Sequence, residues 1–160
     1  LFATQGIVED SPDRSVLEDI AELRENPDIP ETQRVQLTKA RVGQGLFRTR
    51  VMLKGPYCRV TGVTEHRLLI ASHIKPWKDA SNFERIDGNN GIMLSPHVDA
   101  LFDDSLISFE DKGRMLVHPA LPPDVLARWA IDPSKSVDPF HPDQAPFLAY
   151  HRARFAEKVA

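Results

Sequence analysis

The sequence predicts an α+β domain built on one ordinary core. Three observations carry that prediction. Residues 31–54 repeat apolar side chains at helical spacing. Two pairs of short runs rich in strand formers are each split by a turn signal. Ser95-Pro96 opens a helix directly behind a short extended piece. A chain of 160 residues with 41% hydrophobic content is enough for one such core plus extensions.

In chain order, residues 1–14 show no periodicity and read as a loose arm. Residues 15–26 read as a short helix, with Ser15 as N-cap, Glu18 completing a capping box, and Val16, Ile20 and Leu23 on one face. Pro27, Asp28 and Pro30 end it. Residues 31–54 read as one long helix, or as two joined near Gly43 and Gly45. Val35, Val42, Leu46 and Leu53 are expected to face the core, with Arg34, Arg41 and Arg48 in line along another face.

After Gly55-Pro56, runs 57–61 and 68–74 are expected to form a hairpin whose second strand delivers His73. Pro76 takes the chain out of the sheet, 78–89 is loop-like, 92–94 is extended, and a helix runs from Pro96 to about Asp103. Runs 106–109 and 114–118 flank Asp111-Lys112-Gly113 as a second hairpin. A short helix at 122–131, a proline-rich connection at 132–146 and a helix at 147–159 complete the chain. The expected organisation is an acidic arm with a short helix (1–33), a core with its preceding basic helix (34–118) and a helical extension (119–160).

Composition narrows the function classes. No run of eighteen apolar residues and no signal-peptide pattern is present. Leu1, in place of a starting methionine, suggests a piece of a longer chain. Cys58 stands alone, which excludes an intramolecular disulfide and any zinc site of two or more cysteines, and fits a reducing, cytoplasmic setting. Net charge is −3, yet 34–78 holds ten basic residues and one acid, Glu65, whereas 1–33 holds nine acids and two arginines. A polyanion responds to such a local field rather than to the total, although a solvated helix face would look the same.

The chemistry gathers in Ser-His-Ile-Lys-Pro-Trp (72–77) and in Asp-Gly-Asn-Asn-Gly-Ile-Met-Leu-Ser-Pro-His-Val-Asp-Ala-Leu-Phe-Asp (87–103). A histidine ending a strand, an asparagine in a turn and His/Asp groups at a helix start suit a base beside a metal. Histidine titrates near working pH, and a cation neutralises charge that builds on a phosphate. From the residues alone, Asp99 and Asp103 lie four apart and share a helix face, and His97 points away from Asp99 unless it precedes the regular turns.

This string resembles the HNH nucleases, in the branch written SHIKPW…NG…LSPH-DALFD, over about 41–117. The resemblance implies a ββα-metal core with flanking helices and an additional hairpin, and an endonuclease that hydrolyses DNA, expected to be double-stranded. It makes His73 the general base and Asn90 the residue that orients the base's loop, with His97, Asp99 and Asp103 carried together as metal ligands. Arg41, Arg48 and Lys75 are the expected phosphate contacts. The divalent ion is expected to be Mg2+, or else Mn2+.

Two departures stand out. Ser72 occupies the position before the base where many relatives carry a ligand, and Val98 separates His97 from Asp99. Fewer protein ligands and more water suit magnesium. The alternative is a DNA-binding module that kept the fold and lost cleavage. Related domains imply a restriction-enzyme setting, and a homo-oligomer is compatible. His66, His118, His141 and His151 have no ligand spacing and no assigned role.

Overall fold

A computed structural model describes residues 12–160. The expected arm lies largely outside the described residues. Helix α1 (Pro12–Glu25) and the long α2 (Glu31–Lys54) form an antiparallel pair joined across Pro27–Pro30. Strands β1 (Ile70–His73) and β2 (Gly91–Leu94) pair antiparallel, with Ile70 opposite Leu94 and His73 opposite Gly91. A one-turn helix α3 (Asn82–Arg85) lies in the long connection between them. Helix α4 (Pro96–Asp103) follows β2 and packs on β1. Strands β3 (Ile107–Phe109) and β4 (Met115–Val117) form a second antiparallel pair, followed by α5 (Pro123–Arg128) and α6 (Ala145–Val159). The fold is α+β with small antiparallel sheets. No helix among the described residues is long and apolar enough to cross a membrane.

One core runs through the molecule. Phe47 and Val51 of α2 meet Ile92 to Leu94 of β2, Val98, Leu101 and Phe102 of α4, Ile107 and Phe109 of β3, and Leu148 of α6. β2 is buried along its whole length, which is why its sequence Gly-Ile-Met-Leu shows no alternation. Gly91 is required there, because any Cβ would collide with Val51 and Phe47. His151 of α6 is buried in this core too. It lies flat on Phe102, accepts from or donates to Ser108 Oγ through Nδ1 at 2.8 Å, and contacts the Phe102 carbonyl through Nε2 at 2.8 Å.

Several sequence expectations need correction. Residues 57–61 are not a strand: Cys58 N–H donates to Val63 O and Gly62 N–H to Cys58 O, which closes a local turn around the positive-φ Gly62. β1 therefore pairs with β2 across a long connection, because the apolar β2 offers it a fully buried partner. The long helix is continuous through Gly43 and Gly45. Its Val35, Val42, Leu46 and Leu53 are exposed, and Phe47 and Val51 make the core contacts instead. The inward side also takes the arginine stripe: Arg34 Nη1 donates to Arg24 O at 3.0 Å, Arg41 Nε pairs with Asp19 at 2.8 Å, and Arg48 reaches backbone carbonyls. Periodicity located the two faces but exchanged their roles. Ser95 caps no backbone amide; its hydroxyl shares a 2.7 Å hydrogen bond with Thr61 Oγ1.

Candidate functional site

The site is organised around the end of β1. His73 is the last residue of that strand, and its imidazole lies flat on the Phe47 ring, with centroids 3.6 Å apart and planes 6° apart. Trp77 meets it edge-on at 5.9 Å. His73 Nε2 is 2.9 Å from the Arg85 carbonyl oxygen. A carbonyl only accepts, so Nε2 carries the proton and Nδ1 keeps its lone pair. Burial pushes the His73 pKa down; the Arg85 carbonyl works against that, and the Arg85 charge adds to it. The ring is thus a neutral imidazole near neutral pH, with a fixed tautomer.

Asn90 is 0% exposed and ties this region together. Its Oδ1 accepts from Lys75 N–H at 2.7 Å, and its Nδ2 donates to Lys75 O at 3.2 Å and to Glu84 O at 3.1 Å. Those partners also settle the amide's orientation, since an N–H can only donate and a carbonyl can only accept. One side chain therefore clamps the exit of β1 to α3, the helix whose Arg85 carbonyl holds His73. Asn89 does not share this role: its backbone N–H bonds Asp87 and its side-chain oxygen finds no partner.

Helix α3 falls in what reads as a loop in the sequence. It begins with a full capping box, in which Ser81 Oγ accepts from Glu84 N–H and the Glu84 carboxylate accepts from Ser81 N–H. The Ser-x-x-Glu signal is present at 81–84, so this element was readable. The same carboxylate holds Lys75 Nζ at 3.0 Å, and that ammonium also sits 5.0 Å from the Tyr150 ring centre.

The expected ligands divide into two places. Ser72 and His73 are neighbours on one strand and so point to opposite sheet faces. The Ser72 side chain lies beside the Asp99 carboxylate on α4 and helps hold its pKa down, while His73 packs against α2. Burial raises the Asp99 pKa most, the Ser72 side chain counteracts this, and the Asp103 charge raises it further. Asp99 and Asp103 therefore act on one another, as the four-residue spacing predicts.

His97 does not join them. The helix is regular from Pro96, which turns His97 about 200° from Asp99, and its ring meets Trp129 edge-on at 5.4 Å. Among the described residues no group of three His, Cys, Asp or Glu side chains is placed to hold a metal. The trio of His97, Asp99 and Asp103 is thus reduced to the two aspartates.

The basic candidates are mostly engaged within the protein. Arg48 donates Nη1 to Leu69 O at 2.6 Å and Nη2 to His66 O at 2.7 Å, which fastens α2 to the approach of β1. It is a structural residue rather than a phosphate contact. Arg41 pairs with Asp19 of α1, and Lys75 with Glu84. Arg50 and Arg59 likewise reach backbone carbonyls.

Residues 58–110 match a protein-family model described as HNH endonuclease. Over these residues the chain is similar to the HNH endonuclease family. The HNH match covers His73, Asn90, His97, Asp99 and Asp103, and begins after α2. No curated protein matches the chain. An HNH domain points to nuclease or DNA-binding activity, and within this one His73 and Asn90 are joined through the segment 84–85 at the end of β1.

Proposed function

We propose that the chain is a metal-dependent DNA endonuclease in which His73 is the general base. The observation that carries this reading is the His73 ring: its Nε2 proton is committed to the Arg85 carbonyl, and burial keeps it neutral. Nδ1 is then available to take a proton from the water that attacks phosphorus. Asn90 is a positioning residue, holding Lys75 and Glu84 so that Arg85 O stays in line with Nε2.

The donor chemistry beside β1 suits a hard divalent ion. Ser72, Asp99 and Asp103 offer oxygen only, and Asp99 carries an unfavourable buried charge next to Asp103 that a cation would relieve. Asp99 and Asp103 would hold Mg2+ or Mn2+, completed by water. The chemistry such an ion would supply is charge neutralisation at a phosphate; because Asp99 lies across the sheet from His73, base and ion would have to be brought to one phosphate by rearrangement on DNA binding. On this reading strands β1 and β2 with helix α4 form a ββα-metal unit, the nuclease region spans 34–118, the substrate is duplex DNA, and restriction is the biological setting.

A second reading has its own support. Phe47 covers one face of the His73 ring, and Ser72 stands where the HNH resemblance expects an acidic or histidine ligand, as in a DNA-binding module that no longer cleaves. Supercoiled plasmid separates the two. With Mg2+ or Mn2+ the protein should nick it, chelator should stop this, and His73→Ala should abolish it. Thermal melting with and without the ion reports binding separately, and Asp99→Asn should remove any stabilisation. A folded protein that binds DNA but never nicks it establishes the module instead.

A further inference from the structure

Phe83 is 86% exposed, the most exposed large apolar side chain among the described residues. It is not on a loose segment. Phe83 is in the middle of α3, whose capping box, Asn90 contact and Lys75–Glu84 pair hold its backbone. Chain reach puts its Cα within about 7 Å of that of Arg85, whose carbonyl carries His73. Leaving an aromatic ring in water on so firmly held a support stabilises nothing in the isolated protein.

The surroundings define what would cover it. Phe83 borders a groove lined by Arg50, Leu53, Lys54, Ile86, Asp87 and Gly88, so two cations share it with one carboxylate, which accepts from Asn89 N–H. Leu53 is 82% exposed, so the groove has a second bare apolar side chain. The Arg50 backbone and Cβ are within about 3 Å of where a Gly88 Cβ would lie, so α2 and the 88–90 turn meet tightly under this surface. Lys54 ends α2 with no partner among the described residues, and Arg50 adds a second positive charge held on Ile86 O. Flat aromatic surface flanked by cations is complementary to a nucleobase with its phosphates, because the ring takes the base face and the cations take the backbone. An acidic protein helix would need a continuous apolar face, whereas Phe83 on α3 and Leu53 on α2 stand on different elements with Arg50, Lys54 and Asp87 beside them.

We propose that Phe83 is a nucleic-acid wedge, stacking on or inserting beside a base near the phosphate that His73 addresses, with Lys54 on the neighbouring backbone. This rests on the DNA reading above. At about 3.4 Å per nucleotide along one strand, the contacted base lies within about three nucleotides of that phosphate. Phe83 touches no reacting atom; it orients the strand and biases cleavage toward steps that unstack easily.

The test is equilibrium binding of the whole chain to a short duplex carrying 2-aminopurine, in chelator so that nothing is cut. Phe83→Ala should bind about 5- to 100-fold more weakly and lose the change in 2-aminopurine emission, and Phe83→Trp should retain both. The slope of log K against log salt should be the same for Phe83→Ala as for the parent, and smaller by about one for Lys54→Gln. The melting temperature of Phe83→Ala should be unchanged because the ring is exposed. If the parent binds DNA and Phe83→Ala binds equally well, the wedge is wrong and the DNA reading survives. If the parent binds no DNA, both fall. If Phe83→Ala changes the sedimentation of the free protein but not its DNA affinity, the surface is a protein contact and the proposal is overturned.

Discussion

Replacing Asn90 by alanine tests the architecture of the site directly. The side chain is wholly buried and makes three hydrogen bonds, one accepted from Lys75 N–H and two donated to Lys75 O and Glu84 O. Each such bond contributes about 1 kcal/mol net, and alanine leaves the backbone partners unmatched. Asn90→Ala should therefore cost about 3 kcal/mol, read as a shift of the urea midpoint with an unchanged m-value. Asn90→Asp is the sharper probe. Its carboxylate can still accept from Lys75 N–H, but it turns negative charge toward two carbonyl oxygens. It should be less stable than Asn90→Ala at pH 7. The folded state then favours the protonated carboxyl, so its pKa is raised on folding and stability returns as pH falls. A loss below about 1 kcal/mol for alanine, or an aspartate variant that matches alanine at pH 7 and does not recover at pH 5, would refute the clamp.

Two further outcomes follow from the buried His151 and from Gly91, the strand partner of His73. His151 is 1% exposed and burial pushes its pKa down to about 4, so the unfolded chain binds its proton first as pH falls. Stability should drop between about pH 6.5 and pH 4, by about 3 kcal/mol from this group, and His151→Gln should flatten that part of the urea-midpoint profile relative to the parent. Gly91→Ala should cost about 1–3 kcal/mol by overpacking against Phe47 and Val51, measured by chemical denaturation. Adding Val51→Ala should recover part of that loss, since the two side chains compete for one space.

The parts of the fold that were legible are those set by local chemistry. Ser95-Pro96 starts α4 and the Asp111-Lys112-Gly113 turn joins β3 to β4, because a fixed proline φ and a positive-φ glycine act within a few residues. Helix α3 is equally local, and its Ser81–Glu84 capping box stands in an otherwise polar segment. The first strand pair departs from the sequence expectation for the opposite reason. Proximity in sequence favoured 57–61 as the partner of β1, whereas β2, which arrives about twenty residues later, buries more apolar surface against it.

The site divides along the same line. Sequence by itself determined the candidate residue types and their order: His73 closing a strand, Asn90 in a tight turn, and Asp99 and Asp103 one helical turn apart. It also determined an α+β chain carrying an HNH segment. Tertiary structure alone decided that His97 turns to Trp129, that Arg48 binds carbonyls rather than standing free, and that His73 rests on Phe47 with its Nε2 on Arg85. Charge and periodicity state what a side chain can do. Which backbone group it meets depends on how distant segments pack, and an inward arginine has the same spacing in the sequence as an outward one.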